Sequence, residues 1–255
     1  MILNIAERHK LILKKLEENG FVDVADLSQE FDVSLVTIRK DLKALEERKL
    51  LFRSHGRAIQ VDPYIKEHKV SEKEKIHAIE KNRIAIAAGL CLKSFDNIII
   101  ASGTSVIEFA RHLKPVEGLT VLTASLNIAL ILSEKPNIDI IQLGGNVRRS
   151  SSSVIGSIAE KMLAEFTCTK LFLGVDGIDL DFGLTTTNAM EASLNKEMIK
   201  AAQKIIVLAD SSKFGRKGFG RICGLEDVDQ IITDSGIDNK TKDKLIELGI
   251  DVTIV

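Results

Sequence analysis

Cysteine is scarce in this chain. Cys91, Cys168 and Cys223 are odd in number, far apart and set among apolar residues, and no CxxC pair occurs. A disulfide framework and a thiolate metal site are excluded as organising features, and the three read as reduced core residues of a cytoplasmic protein. Long apolar runs are missing too. None approaches the roughly 20 residues of a membrane span, and the opening MILNIAERHKLILKKLEENG is charged throughout, unlike a secretory signal. An excess of one charge is also lacking, with 35 Lys and Arg against 36 Asp and Glu. Bulk charge therefore selects neither nucleic acid nor membrane, and any electrostatic function has to be local. Tryptophan is absent, tyrosine occurs once, and there is no repeat or low-complexity tract.

What is there is an ordinary globular composition, and 255 residues suffice for one large or two modest domains. The texture changes near Pro63. Short helical patterns precede it; YIKEHKVSEKEKIHAIEKNR, residues 64–83, follows as a highly charged stretch expected to form a solvated linker helix. Beyond residue 83, apolar strand-like runs alternate with amphipathic helices. Strands are expected at 97–101, 120–123, 138–143, 171–175, 204–208, 230–233 and 251–254. Alternation of this kind implies a largely parallel sheet with helices on both faces.

The stretch VSLVTIRKDLKALEERKLLFRSHGRA, residues 33–58, is expected to hold a helix. Leu35, Ile38, Leu42 and Leu45 fall on one side of it, Thr37, Arg39, Lys40 and Lys43 on the other. The period then changes into a short hairpin with the basic tip Arg53-Ser54-His55-Gly56-Arg57. Upstream, Ile5, Ile12 and Leu16 give a first helix that Asn19-Gly20 stops. Asp23 is placed to cap a second helix, with Val24, Leu27 and Phe31 facing inward, and Ser34 to cap the third. Two helices joined by a tight turn, the second with a cationic outer face, make the helix-turn-helix pattern. Residues 34–60 carry seven Lys and Arg against three acids, residues 1–33 four against seven. For the helix alone a solvated surface explains the charge equally well; the cationic hairpin tip favours DNA phosphates. Ser34 and Thr37 are short enough to approach base edges. Arg39 and Lys40 suit a guanine edge or a phosphate oxygen, and Lys43, Arg53, His55 and Arg57 complete the expected DNA face.

Residues 1–60 resemble the DeoR-type winged helix-turn-helix, whose signature runs roughly VS-x-x-TIRRDL-x-x-L-x-x-x-G-x-L-x-R-x-HGGA. This chain has Val33-Ser34, Thr37-Ile38-Arg39-Lys40-Asp41-Leu42, Leu45, Leu50-Leu51, Arg53 and His55-Gly56-x-Ala58. Lys40 stands where the family usually has a second Arg, keeping charge without the planar fork. Arg57 replaces a Gly of the wing. The expected fold is thus a small α+β winged helix-turn-helix head, residues 1–60, joined through a charged linker, 61–83, to a larger α/β domain with a mostly parallel sheet, 84–255.

Expected strand ends of this larger domain share a chemistry. NIIIASGTS ends in Ser102, Gly103, Thr104 and Ser105, VLTASLN contains Thr123 and Ser125, and IIQLGGNVRRSSSS contains Gly144, Gly145 and Arg148. LFLGVDGID contributes Asp176. Small hydroxyl residues and glycine at a strand-to-helix turn gather backbone N–H groups and the positive helix end, which suits phosphate, although helix capping explains Ser and Thr about as well. In an open α/β sheet such ends border the ligand crevice, so an anionic, hydroxylated small molecule is expected, a sugar phosphate fitting best. The resemblance to the DeoR-type sensor domain continues through these motifs and through Gly183-Leu184-Thr185, Asn188-x-x-Glu191 and Asp210-x-x-Lys213, with Ala124 in place of the usual Asn. It implies a transcriptional regulator, usually a repressor of sugar or polyol metabolism. It also implies that Glu191 and Lys213 join the effector site, a phosphorylated sugar or polyol relieves binding to double-stranded operator DNA, and the protein works as a homo-oligomer, dimer or tetramer. No cofactor, metal or membrane is expected.

Two other readings compete. The larger domain is also similar to ribose-5-phosphate isomerase, whose D-x-x-D pair and following Glu match Asp176, Asp179 and Glu191; an isomerase-like enzyme with a DNA-binding head is the alternative. The lysine expected between Asp179 and Glu191 is missing from LDFGLTTTNAM, which leaves little to stabilise an enediolate. A body that only oligomerises would leave the strand-end residues without a ligand, Asp176, Glu191 and Lys213 then forming a buried salt-bridge network.

Overall fold

Apolar stripes at helical spacing build the first of the two units into which the chain divides, Met1–Pro63 and Tyr64–Val255. The computed structural model describes residues 4–19, 21–48, 50–54, 57–60 and 70–255. The first unit holds helix α1 (Ile5–Asn19), strand β1 (Phe21–Asp23), helices α2 (Val24–Glu30) and α3 (Leu35–Glu47), and strands β2 (Leu51–Ser54) and β3 (Arg57–Gln60). Ile12, Leu16, Leu27, Ile38, Leu42 and Leu45 meet in one buried core. β3 lies between β1 and β2 in an antiparallel sheet. Ser34 caps α3, its Oγ accepting the Thr37 N–H at 3.1 Å. Asp23 stands at the cap position of α2, yet its side chain makes no capping hydrogen bond. Ile5 and Leu35, expected on the inner stripes, are exposed. Each opens its helix at the edge of the stripe, and in α3 the buried set is completed by Asp41 instead.

Asp41 is buried because α1 brings it partners. Arg8 donates from Nε and Nη2 to the two carboxylate oxygens at 2.8 and 3.2 Å, and His9 Nε2 lies 3.2 Å from Oδ1. The turn between α2 and α3 is held by Ser28, whose hydroxyl donates to the Val33 carbonyl at 2.6 Å.

The second unit begins with α4 (Val70–Lys73), α5 (Ala78–Gly89), β4 (Asn97–Ile100), α6 (Thr104–His112), β5 (Leu119–Thr123), α7 (Leu126–Ser133) and β6 (Ile138–Gln142). The hairpin β7 (Asn146–Arg148) and β8 (Ser153–Ile155), α8 (Ser157–Leu163) and β9 (Cys168–Gly174) follow. Then come β10 (Gly177–Asp179), β11 (Gly183–Thr186), α9 (Ala189–Lys200), β12 (Ala202–Leu208), β13 (Gly220–Cys223), β14 (Gln230–Thr233), α10 (Asn239–Glu247) and β15 (Asp251–Ile254). The seven strands expected from sequence pair in parallel in the order β15-β14-β12-β9-β4-β5-β6. Strands covered on both faces need apolar residues at every position, hence the continuous runs. Ile99, Leu171 and Leu173 pack into one apolar layer with Leu163 and Met198, while Ile98, Ile100 and Phe172 pack into the other with Ile84 and Phe109. The three cysteines are free, Cys168 buried and the others partly so.

The charged stretch before this sheet departs from expectation. In its described part α4 ends at Lys73 and a turn follows, and His77 takes a left-handed φ of 54° before α5 starts. Val70 and Lys81 are buried, and Ile84, Ala85 and Ala88 seat α5 on the sheet. Lys81 fits there because its ammonium donates to the Lys73 and Ile76 carbonyls, each at 2.6 Å. The high charge of the stretch concealed these inward positions.

Candidate functional site

The order of the large sheet reverses at one place. The chain builds outward from β4 through β5 to β6, then returns to β9 on the other flank of β4 and builds outward again. Such a switch point opens a crevice at the carboxyl ends of the two central strands. Ser102, Gly103, Thr104 and Ser105 leave β4 there, and Gly174, Val175 and Asp176 leave β9. Gly103, at φ 129°, gives the first turn a backbone conformation open to glycine, and its N–H and those after it open α6.

Two ion pairs and one further cation fill the polar wall. Lys73 Nζ donates to Asp176 Oδ1 at 2.8 Å, while Oδ2 accepts from Thr186 Oγ1 at 2.9 Å and from the Thr187 N–H at 3.1 Å. Burial pushes the Asp176 carboxyl up, but the Lys73 and Lys213 ammoniums and these hydrogen bonds hold it below the ordinary carboxylate range. Arg148 Nη1 lies 2.8 Å from Glu191 Oε2 and donates to Ser151 Oγ at 3.3 Å. Glu191 is fixed in the first turn of α9, where Asn188 Oδ1 accepts the N–H groups of Met190 and Glu191 at 2.9 and 3.1 Å. Lys213 also lines the crevice. Asp210 caps its turn by accepting the Ser212 N–H at 3.1 Å. Burial raises the Asp210 carboxyl, but Lys213, Ser212, His77 and Lys81 together bring it below its usual value. Among the described residues the Lys213 ammonium has no ion-pair partner.

Of the residues expected at the effector site, Ser102, Gly103, Thr104, Ser105, Arg148, Asp176, Glu191 and Lys213 come together in this crevice. Four do not. Thr123 is buried and donates to the Ile100 carbonyl at 2.7 Å, and Ser125 is buried as the cap of α7. Gly144 and Gly145 are exposed in the turn before β7. There Gly145 has φ 142°, and a Cβ would meet Val154 at 2.8 Å; the turn explains the glycine. Thr123 ends β5 and the other three follow β5 or β6, outside the central pair of strands. Sequence reasoning missed Lys73, Ser151, Thr186 and Asn195, which also line the crevice. Thr186 directly follows the recognised Gly183-Leu184-Thr185, whereas Lys73 carried no signal beyond a charged run. The cation absent from residues 180–190 is therefore supplied from elsewhere. Asp179 is turned to another task, accepting the N–H groups of Asp181 and Phe182 at 3.1 and 2.8 Å, so the isomerase-like carboxylate pair is not assembled.

In the first unit Arg39, Lys40 and Lys43 are exposed along α3. Ser34 and Thr37 open that helix with their hydroxyls 2.9 Å apart. His55 lies outside the described residues, as do the side chains of Arg53 and Arg57. Leu35 and Val36 are exposed at the start of α3, where sequence reasoning placed Leu35 inward. Among the described residues no cluster of three His, Cys, Asp or Glu could hold a metal, and no helix is long and apolar enough to cross a membrane.

Comparison with known proteins agrees with both halves. Residues 8–63 match the DeoR-like helix-turn-helix domain, and residues 76–235 the DeoR C terminal sensor domain. The putative aga operon transcriptional repressor of Escherichia coli O157:H7 is 36% identical, covering 100% of this chain and 95% of the relative. The HTH-type transcriptional regulator YulB of Bacillus subtilis is 38% identical, covering 98% of this chain and 97% of its own. Ribose 5 phosphate isomerase A from Neisseria gonorrhoeae shares 16% identity at a TM-score of 0.40, over 52% of each chain, a likeness from which no activity follows. With both family domains matched and relatives alike along the whole length, the chain belongs to the DeoR family of helix-turn-helix transcriptional regulators.

Proposed function

We propose that this regulator represses an operon of sugar or polyol metabolism and that a phosphorylated sugar in the crevice relieves the repression. The observation that carries this is the charge of the crevice. Lys73, Arg148 and Lys213 line the crevice with Asp176 and Glu191, an excess of one positive charge on a wall that also holds the opening of α6. That arrangement suits one phosphate ester. Asp176 and Glu191 then accept from sugar hydroxyls. Residues 1–60 bind operator DNA through Ser34, Thr37, Arg39, Lys40, Lys43, Arg53, His55 and Arg57. Residues 84–255 bind the effector and assemble a dimer or tetramer, so that paired heads meet half-sites separated by whole helical turns. A cytoplasmic location follows from that role. The similar aga operon protein is named a transcriptional repressor, which supports the repressor reading.

A thermal-shift screen of sugar phosphates beside the matching unphosphorylated sugars tests the site. Only phosphorylated compounds should stabilise the chain. Lys213→Met should weaken them about tenfold to a hundredfold, as expected for a lost hydrogen bond to a charged group worth about 1.5–3 kcal/mol. Equal stabilisation by the unphosphorylated sugars would overturn the reading. On the DNA side, Arg39→Ala should cost about 1–3 kcal/mol on the operator and relax specificity there, if it reads a base.

A further inference from the structure

Two residues of the crevice wall, Val70 and Lys73, come from a segment far in sequence from the rest, whose other wall residues all lie at Ser102 or beyond. Val70 follows the boundary of the first unit at Pro63 by seven residues. Three attachments hold the segment over the crevice. The Val70 N–H donates to the Ser150 carbonyl at 3.0 Å, in the turn between β7 and β8. Lys73 Nζ reaches Asp176 at 2.8 Å. From behind, Lys81 Nζ donates to the Lys73 and Ile76 carbonyls. The left-handed His77 then turns the chain into α5. The middle attachment alone is a charge within the ligand site, 22% exposed and shared with a carboxylate.

We propose that residues 70–77 form a strap that senses crevice occupancy through Lys73. This rests on the reading of the crevice as a phosphate-ester site. The wall carries three cations against two carboxylates. A bound phosphate dianion reverses that balance, and the departure of Lys73 then separates it from two anionic partners. Occupancy therefore holds the strap down, and the chain next to the DNA-binding unit in sequence is fixed whenever the effector is bound.

Hydrogen–deuterium exchange on the full chain, with inorganic phosphate as the probe, tests this. Protection of residues 102–107 reports binding at the crevice, and the amides of residues 70–77 report the strap. In wild type, phosphate should slow exchange in 70–77 by about 5- to 150-fold, the span of typical site-to-site coupling. Lys73→Gln, with phosphate raised until 102–107 is saturated, should abolish that slowing, and Lys73→Arg should restore it. Unchanged exchange of the seven sheet strands in Lys73→Gln shows that the variant is folded. Protection at 102–107 with none at 70–77 in wild type, or equal strap protection in Lys73→Gln, refutes the strap while leaving the site. Absence of protection at 102–107 removes the phosphate site and the strap with it.

Discussion

Replacing Asp41 by Asn should destabilise the helix-turn-helix unit although the residue is only 5% exposed. Asp41 holds Arg8 by two hydrogen bonds, with both side chains below a tenth exposed. Removing one partner of a buried ion pair costs up to about 3–5 kcal/mol, because the remaining charge loses a counter-ion inside the fold. A unit of this size is stable by only about 3–9 kcal/mol at ~0.05–0.15 kcal/mol per residue. The single change thus removes from about a third to all of that margin. In the full-length chain, amides of α1 and α3 that exchange by unfolding of the unit should speed up at least a hundredfold, since each 1.4 kcal/mol is about tenfold. Operator affinity should fall to the extent that the folded fraction of the unit falls, while protection of the seven-stranded sheet stays as in wild type. The double variant Arg8→Met, Asp41→Leu removes both charges and should recover most of the loss. If Asp41→Asn exchanges like wild type, or the double variant is no better than the single, the ion pair is not what binds α1 to α3.

Lys81 gives the second unit an alkaline signature. Burial, and then the nearby Lys213, lowers its pKa from 10.5 to about 8. Between those values Lys81 binds fewer protons in the folded chain than in the unfolded one. Its contribution to stability should therefore rise with pH across this window, by up to about 1.4 kcal/mol per unit, the penalty being full below it. The cysteine thiols, raised by burial, act in the opposite sense at the alkaline end. Denaturant unfolding at pH 8 and 10 should therefore show a more positive slope in wild type than in Lys81→Met; identical slopes would refute it. Gly183→Ala should lower the melting temperature of the second unit by several degrees, since φ is 89° and a Cβ would lie 2.1 Å from the Cys223 carbonyl oxygen. Gly89→Ala, in a helix and with nothing within 4 Å of its Cβ, should keep or slightly raise it.

How much of this was legible depended on how locally each feature is encoded. The central strands of the parallel sheet stood out because burial on two faces demands apolar runs, as at Ile98, Ile99 and Ile100, while the edge strands β6 and β15 are partly exposed. The hairpin β7–β8 and the small sheet β10-β11-β13 did not stand out, because they take their identity from partners elsewhere in the chain. Ser102, Gly103, Thr104 and Ser105 were readable as a turn chemistry; Thr123 and Ser125 showed the same chemistry and only cap and brace their own turn. What separates the two cases is strand order, which no local pattern contains. Lys73 was opaque for the same reason, its partner Asp176 lying 103 residues away. Asp41 looked like one more surface acid until Arg8 and His9 were placed beside it.

The crevice wall draws on residues as distant as Val70 and Lys213, and this has a consequence for the life of the polypeptide in the cell. A ligand held there touches residues from widely separated parts of the second unit, so it binds the finished fold and has nothing comparable to bind in the unfolded chain. If the effector binds there as proposed, mass action makes it a stabiliser of its own sensor, adding about 2.7 kcal/mol at a hundred times its dissociation constant. Chains made while the metabolite is plentiful should escape proteolysis more often than chains made in its absence. The amount of regulator, and not only its grip on DNA, would then follow the supply of sugar.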